Sequence, residues 1–101
     1  MFGFGKKKLD DHSAGMMSVE LSMYLRWMED KRRRTLNPNE LMSLAAKILT
    51  RENYKCGPQE TQILTGLALT SDPKGIDEMR KKTNFDKTID GFCKSIGIET
   101  P

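Results

Sequence analysis

The segment that decides the fold begins with Asn37-Pro38-Asn39-Glu40. Proline suits the first position of a helix, because its missing N–H would be unsatisfied there and its fixed φ is already helical. Asn37 can cap the free amides of the first turn, and the helix dipole favours the negative charge of Glu40. The apolar residues that follow recur at helical spacing and predict one amphipathic helix from Pro38 to about Arg51. They are Leu41, Leu44, Ala45, Ile48 and Leu49.

Proline marks two more helix starts, at Gly57-Pro58 and Asp72-Pro73. They predict helices over about residues 58–70 and 73–82. Gly66 lies inside the first of these helices, where glycine is unfavourable, so it indicates either a close helix crossing, which we expect, or an unimportant local weakness. The residues expected to face inward are Ile63, Leu64, Leu67 and Ala68 in the first helix and Ile76 and Met79 in the second.

Two further helices flank these three. The first follows a serine cap at Ser13 or Ser18 and ends in the basic residues 31–34. The last covers about residues 86–96 and ends at Gly97, a natural left-handed C-cap. Their apolar stripes consist of Met17, Leu21, Tyr24, Leu25 and Met28 in the first and of Phe85, Ile89, Phe92, Cys93 and Ile96 in the last.

Together these elements predict an all-α fold, a compact single-domain bundle of four to five short helices. Alternation with a period of two residues is absent over any useful length, and 101 residues suffice for one modest core. Residues 1–13 lack periodicity and contain glycines, which predicts a flexible N-terminal arm before a helical domain over residues 14–97. Residues 98–101 are expected to fray.

Composition narrows the cellular location. No stretch reaches the roughly 20 apolar residues that a membrane-spanning helix needs. Phe2 and Phe4 stand before the lysines of residues 6–8, which is the reverse of a secretory signal peptide. Such an arm would anchor only weakly to an anionic membrane, so we do not expect membrane contact. Cys56 and Cys93 form no C-x-x-C pair, and a reducing cytoplasm is the simplest setting.

Catalytic and metal-binding patterns find little support. Asp10, Asp11 and His12 adjoin one another but lack a second set of ligands at metal spacing, so no metal site is expected. Cys56, beside a helix N-terminus, fits a turn residue better than a reactive thiol. Cys93 fits a buried core residue better than a nucleophile paired with the single histidine. We therefore expect neither an enzyme nor a cofactor.

Basic residues cluster at the predicted helix ends. Residues 26–34 carry five basic and two acidic side chains, and this excess of three equals the net charge of the whole chain. Such charges commonly stabilise the helix dipole and lie in solvent, which is one interpretation. The alternative is a small nucleic-acid-binding regulator that contacts phosphates, although the helix predicted over residues 58–70 offers no Lys or Arg for reading bases. The candidate phosphate-binding residues are Arg32, Arg33, Arg34, Arg80, Lys81 and Lys82.

The first helix is apolar on more than one face. Besides its inward stripe it carries further methionines and a tryptophan, which are frequent in adaptable or energetically important interfaces. A central position in the bundle is the commoner explanation, and a surface for a protein partner or a second copy is the other. We predict a non-enzymatic helical protein-protein interaction or regulatory module that self-associates or binds a partner through this helix. The candidate interface residues are Met16, Val19, Met23 and Trp27.

Overall fold

In the computed structural model, which describes residues 6–101, the regular structure consists of five α-helices and one 3-10 turn. The helices are α1 (Asp11–Lys31), α2 (Pro38–Arg51), α3 (Pro58–Leu69), α4 (Pro73–Lys82) and α5 (Ile89–Ser95), and the 3-10 turn covers Phe85–Lys87. No strand occurs in this part of the chain. The Cα radius of gyration is 13.3 Å, as expected of a compact domain of this size. The predicted all-α compact bundle is confirmed.

Local chemistry explains why three helices begin at prolines. Asn37 Oδ1 accepts a hydrogen bond from the Glu40 N–H at 2.9 Å, and Glu40 Oε1 accepts one from the Asn37 N–H at 3.2 Å, which completes a capping box for α2. Asp72 Oδ2 accepts a hydrogen bond from the Gly75 N–H at 3.2 Å and caps α4. The helix α3 begins at its proline without a side-chain cap. All three predicted starts are confirmed.

The long helix α1 lies at the centre of the bundle and packs against α2, α3 and α4. Met23 and Trp27, which lie outside its predicted inward stripe, are buried as well. The ring centroid of Tyr24 lies 5.9 Å from that of Trp27 and 5.4 Å from that of Phe92. Phe92 in turn lies 5.4 Å from Phe85, so the aromatic side chains join α1 to the C-terminal elements. The central position of α1 explains the burial of Met23 and Trp27, whereas Met16 is exposed, so the interpretation as an interaction surface stays open for that part of the helix.

The contact between α1 and α3 uses small side chains. Ser22 Oγ donates a hydrogen bond to the Ser18 carbonyl at 2.7 Å and lies 3.5 Å from the Ala68 carbonyl of α3. Thr61 and Thr65 of α3 are also buried, and their hydroxyls donate to carbonyls three or four residues earlier in the chain. Because each hydroxyl is satisfied locally, these short polar residues can face the core.

The inward face of α3 therefore differs from the predicted one. Leu64 and Ala68 are buried as expected, whereas Ile63 and Leu67 are 42% and 41% exposed, so their predicted burial is wrong. Gly66 is exposed too, and a Cβ added to it would meet no atom within 4 Å. The predicted close crossing at this glycine is absent from the fold of the single chain. Threonines complete the buried face in place of the larger apolar residues.

Two predictions about the C-terminal half are corrected. In α4, Met79 is 38% exposed and Arg80 is buried, although the methionine was expected inside. The helix predicted over residues 86–96 is divided into the 3-10 turn and α5. The division occurs at Thr88, whose φ of −104° and ψ of 12° leave helical geometry.

The helical domain begins earlier than predicted. Its first helix starts at Asp11, before residue 14, because Asp10 rather than a serine forms the cap. Asp10 Oδ1 accepts a hydrogen bond from the Ser13 N–H at 2.7 Å. The backbone N–H and the hydroxyl of Ser13 both donate to the Asp10 carboxylate, and these hydrogen bonds lower its pKa.

The segment before α1 contacts the connection between α2 and α3. The Lys7 N–H donates to the Asn53 carbonyl at 2.9 Å, and the Lys55 N–H donates to the Lys7 carbonyl at 3.2 Å. Part of the predicted arm is thus attached to the bundle. Phe2 and Phe4, the aromatic residues of that arm, lie outside the described residues.

The C-terminal residues pack back on the bundle. Gly97 has a φ of +74°, the left-handed cap predicted for it, and the Ile98 N–H donates to the Cys93 carbonyl at 2.9 Å. Ile98 packs against the core, and Arg32 Nε donates to the Pro101 carbonyl at 2.8 Å. The segment expected to fray therefore has both an apolar and a polar contact.

Candidate functional site

A groove lined by methionines opens between α1, the end of α2 and α4, with a volume of about 400 Å³. Met16 is 63% exposed and Met79 of α4 is 38% exposed, while Val19 is half-buried. Buried side chains of Met17 and Met23 complete the apolar lining. We call these five residues the methionine groove.

The polar edge of the methionine groove is a paired arginine. Arg51, at the end of α2, forms ion pairs with Glu20 of α1 and with Glu52, whose Oε2 accepts from Arg51 Nε at 2.8 Å. Arg51 Nη1 also donates to Ser95 Oγ of α5 at 3.0 Å. Burial would lower the pKa of Arg51, but the bonds to Glu20 and Glu52 raise it. This edge therefore stays charged beside an otherwise apolar surface.

The structure separates the four predicted interface residues. Met16, Val19 and Met23 line the methionine groove together. Trp27 lies elsewhere, buried in the core, with the Arg32 guanidinium 4.7 Å from its ring centroid. Its predicted role as an interface residue is corrected, because a side chain packed in this way presents no surface to a partner.

Arg80 is the centre of a second cluster, in which three carboxylates surround one guanidinium. Its Nη2 donates to Asp30 Oδ2 of α1 at 3.1 Å and to Asp86 Oδ2 of the 3-10 turn at 2.8 Å. Its Nη1 donates to Asp77 Oδ1 at 3.0 Å. Arg26 of α1 donates to the same Asp77 at 3.1 and 2.9 Å. These five residues, the Arg80 cluster, join α1, α4 and the 3-10 turn.

Hydrogen bonds favour the charged forms of Arg80, Asp77 and Asp30. Burial by itself lowers the pKa of Arg80, but the bonds to Asp86, Asp30 and Asp77 outweigh it and hold the pKa above its ordinary value. The bond from Arg26 lowers the pKa of Asp77, and the bond from Arg80 lowers that of Asp30. A buried guanidinium bound by three carboxylates is unsuited to a phosphate, so the prediction of Arg80 as a phosphate ligand is corrected.

The other predicted phosphate ligands divide into two sets. Arg34 forms an ion pair with Glu40, and Arg32 is held by the C-terminal segment and the tryptophan. Arg33, Lys81 and Lys82 are exposed and form no ion pair with residues 6–101. Three of the six side chains are thus free to meet a phosphate.

The basic clusters do not all lie at one end of the bundle. Residues 6–8 precede α1 and residues 32–34 follow it, and a helix of 21 residues is about 31 Å long. The end of α4 lies near the second of these clusters, since Arg80 bonds to Asp30. Only the basic residues at the C-terminal end of α1 and at the end of α4 are therefore neighbours.

A third feature, which was missed in the sequence, is the outward side of α3. Residues 61–71 contain no charged side chain and form the longest such run in the chain. Leu69, at the edge of this side, is 65% exposed. An apolar and uncharged helix surface is unusual on a chain in which 31% of residues are charged. We call the surface the α3 face and define it by Gln59, Gln62, Ile63, Gly66, Leu67 and Thr70.

The remaining candidates from the sequence are the metal-ligating side chains and the two cysteines. Within residues 6–101, no group of His, Cys, Asp and Glu can hold a metal ion. Cys93 is buried, as predicted, and that burial raises the pKa of its thiol. Cys56 accepts a hydrogen bond from Thr50 Oγ1 at 3.5 Å. In the same residues, no helix has the length and apolar character needed to cross a membrane.

Comparisons with known proteins provide no relative from which a function can be transferred. No protein-family model, no curated protein and no solved structure matches the chain significantly. A functional proposal therefore rests on the chemistry of the three features described above: the methionine groove, the Arg80 cluster and the α3 face.

Proposed function

We propose that the protein is a non-enzymatic interaction module whose methionine groove binds an apolar helical segment of a protein partner. The observation that carries the proposal is the exposure of Met16 and Met79 on either side of a concave, apolar surface. In the described residues, every buried side-chain nitrogen or oxygen has a hydrogen-bond partner. The polar groups of the bundle are thus satisfied, while part of its apolar surface has no partner.

Methionine is suited to such a surface. Its side chain is unbranched and polarisable, so it adapts to partners of irregular shape. A partner helix with apolar residues at i, i+3 or i+4, and i+7 can insert them into a groove of this size. The paired Arg51 and Glu52 offer hydrogen bonds at the edge, as polar residues do around the apolar centre of most interfaces.

Nucleic-acid binding has less support from the geometry. Arg80 is buried, and two of the other predicted ligands are bonded within the chain. Binding through Arg33, Lys81 and Lys82 alone involves few phosphate contacts and would be weak and sensitive to salt. A nucleic-acid duplex therefore serves as the competing ligand in the test.

The methyl groups of the seven methionines provide that test. Protein labelled with 13C at the methionine methyls is titrated with a helical peptide whose leucines follow the i, i+3, i+4, i+7 spacing. We expect the resonances of Met16 and Met79 to move most. The resonances of Met28, buried in the core, and Met42, on α2 outside the groove, should move least.

Two controls define the result. A peptide of the same composition in scrambled order should move no methionine methyl resonance. Met16→Glu should weaken binding of the ordered peptide by about tenfold or more, whereas Asn39→Glu, the same charge change at an exposed site outside the groove, should not. Binding of a duplex that high salt reverses, with no binding of the ordered peptide, would contradict the proposal.

A further inference from the structure

We propose that the α3 face is a self-association surface, which packs antiparallel against the same face of a second copy of this chain. It lies on a different helix from the methionine groove and shares no residue with it. Association through α3 therefore leaves the groove open and would give the dimer two of them. Its success or failure is independent of the function proposed above.

The first observation is the chemistry of the surface. Ile63, Leu67 and Leu69 are large apolar residues, all exposed within two turns of one helix. No charged side chain lies among residues 61–71. Desolvating charges opposes association, and this surface has none to desolvate at its centre. Burial of these side chains against another apolar helix is therefore favourable.

The second observation is Gly66. Glycine inside a helix is less stable than alanine there, and nothing in residues 6–101 requires it, since a Cβ would meet none of their atoms within 4 Å. A second helix lying across this position supplies the requirement, because the missing Cβ lets two backbones approach closely. Ile63, Gly66, Leu67 and Thr70 follow the i, i+3, i+4, i+7 spacing of a helix contact.

The partner that covers the α3 face is a second copy of the chain, because the order of residues along this face is complementary to itself in an antiparallel pair. A twofold axis near Gly66 places Ile63 of one copy opposite the Leu67 end of the other. It also brings the exposed Gln62 of one copy towards the exposed Thr70 of the other, so neutral polar groups meet on both sides of the axis. Identical charged faces would repel each other in such a pair, and the absence of charge from this face removes that repulsion.

The small area of the α3 face predicts a low affinity of the dimer. With 12 residues, α3 is about 18 Å long. One pair of such helices covers less than the roughly 800 Å² per partner of a standard stable interface. The dimer should therefore be weak and form only at high protein concentration.

Sedimentation equilibrium of the whole chain between about 10 µM and about 1 mM tests the proposal. We expect the average mass to rise from monomer towards dimer over this range. Ile63→Glu should remove the rise without changing the melting temperature of the monomer, because Ile63 is already partly in solvent. Met16→Glu should leave the rise unchanged, which separates the α3 face from the methionine groove.

Gly66→Ala provides a second readout, since its two effects have opposite signs. It should raise the melting temperature of the monomer and weaken dimerisation by about tenfold or more. A chain that stays monomeric at about 1 mM would overturn the proposal. A dimer that survives Ile63→Glu, or one that Gly66→Ala stabilises, would overturn it as well.

Discussion

Arg80 and Leu69 reverse the usual burial of their residue types, because the arginine is buried and the leucine is exposed. Arg80 is 6% exposed and Leu69 is 65% exposed. The arginine is inside because carboxylates from α1, α4 and the 3-10 turn converge on it. The leucine is outside because α3 turns Thr61, Leu64, Thr65 and Ala68 towards the core. Burial in this bundle thus follows the partners that a side chain finds, more than its polarity.

The difference also distinguishes the Arg80 cluster, whose charges are paired, from the apolar surfaces for which we propose a role in recognition. The Arg80 cluster has a partner for each of its charges and joins three elements of the fold. The α3 face and the methionine groove present apolar groups that no other side chain of residues 6–101 covers. We therefore assign stability to the charged cluster and recognition to the apolar surfaces, and each half of this assignment can be tested.

Two of the leucines of α3, Leu64 and Leu67, test the assignment with the largest expected effect. Leu64 is fully buried, whereas Leu67 lies on the α3 face. Leu64→Ala should lower the free energy of unfolding by about 3 kcal/mol, through lost burial and a cavity. Leu67→Ala should lower it by less than about 1 kcal/mol in dilute solution. Urea unfolding measures both, and equal losses would contradict the orientation of α3.

Arg80 and Lys82 form the corresponding pair on α4. Arg80→Ala should lower the free energy of unfolding by about 2 kcal/mol, since it removes several charged hydrogen bonds at a buried site. The loss stays below that of a fully buried ion pair because the carboxylates are 34% to 47% exposed. Lys82→Ala should change it by less than about 0.5 kcal/mol. Thermal unfolding followed by circular dichroism distinguishes the two variants. An unchanged stability in Arg80→Ala would show that the cluster does not stabilise the fold.

Two glycines sharpen the comparison further. Gly66 is helical and unobstructed, so Gly66→Ala should raise the free energy of unfolding of the monomer by up to about 1 kcal/mol. Gly97 has a positive φ, so Gly97→Ala should lower it by about 1 kcal/mol. Urea unfolding at low protein concentration gives both signs. A loss of stability in Gly66→Ala would show that this glycine has a role within the monomer.

The smallest expected effect is the acid sensitivity of the Arg80 cluster. The bond from Arg26 lowers the pKa of Asp77 in the folded state below the ordinary value of 3.8. The stabilisation is therefore complete above that value and is lost as the pH falls through the lower folded pKa. Asp77→Asn should reduce the fall of the urea midpoint between about pH 5 and about pH 2. A variant with an unchanged acid profile would show that this carboxylate does not contribute.

The sequence predicts the helix starts well because their chemistry is local. Asn37 and Glu40 cap α2 within one turn, and Gly97 ends α5 through its own backbone freedom. Such features need only neighbouring residues. The charge-free run over residues 61–71 was also present in the sequence, and it is the signal that could have identified the α3 face.

Burial on α3 and α4 could not be predicted in the same way. In α3, apolar residues occupy two sides of the helix, and only packing against α1 and α2 selects the side with the threonines. In α4, Arg80 is buried by Asp30 and Asp86, which lie in other elements of the chain. A periodic pattern within one helix contains no information about such partners.

The central claim, that recognition uses the apolar surfaces, is tested most directly by calorimetric titration of the protein with the leucine-patterned helical peptide. Measured at several temperatures and at low and high salt, binding should show a negative heat-capacity change and little dependence on salt, as burial of apolar surface requires. Met16→Glu should weaken this binding by about tenfold or more. Absence of peptide binding, together with salt-dependent binding of a duplex that Lys81→Ala and Lys82→Ala weaken, would contradict the account.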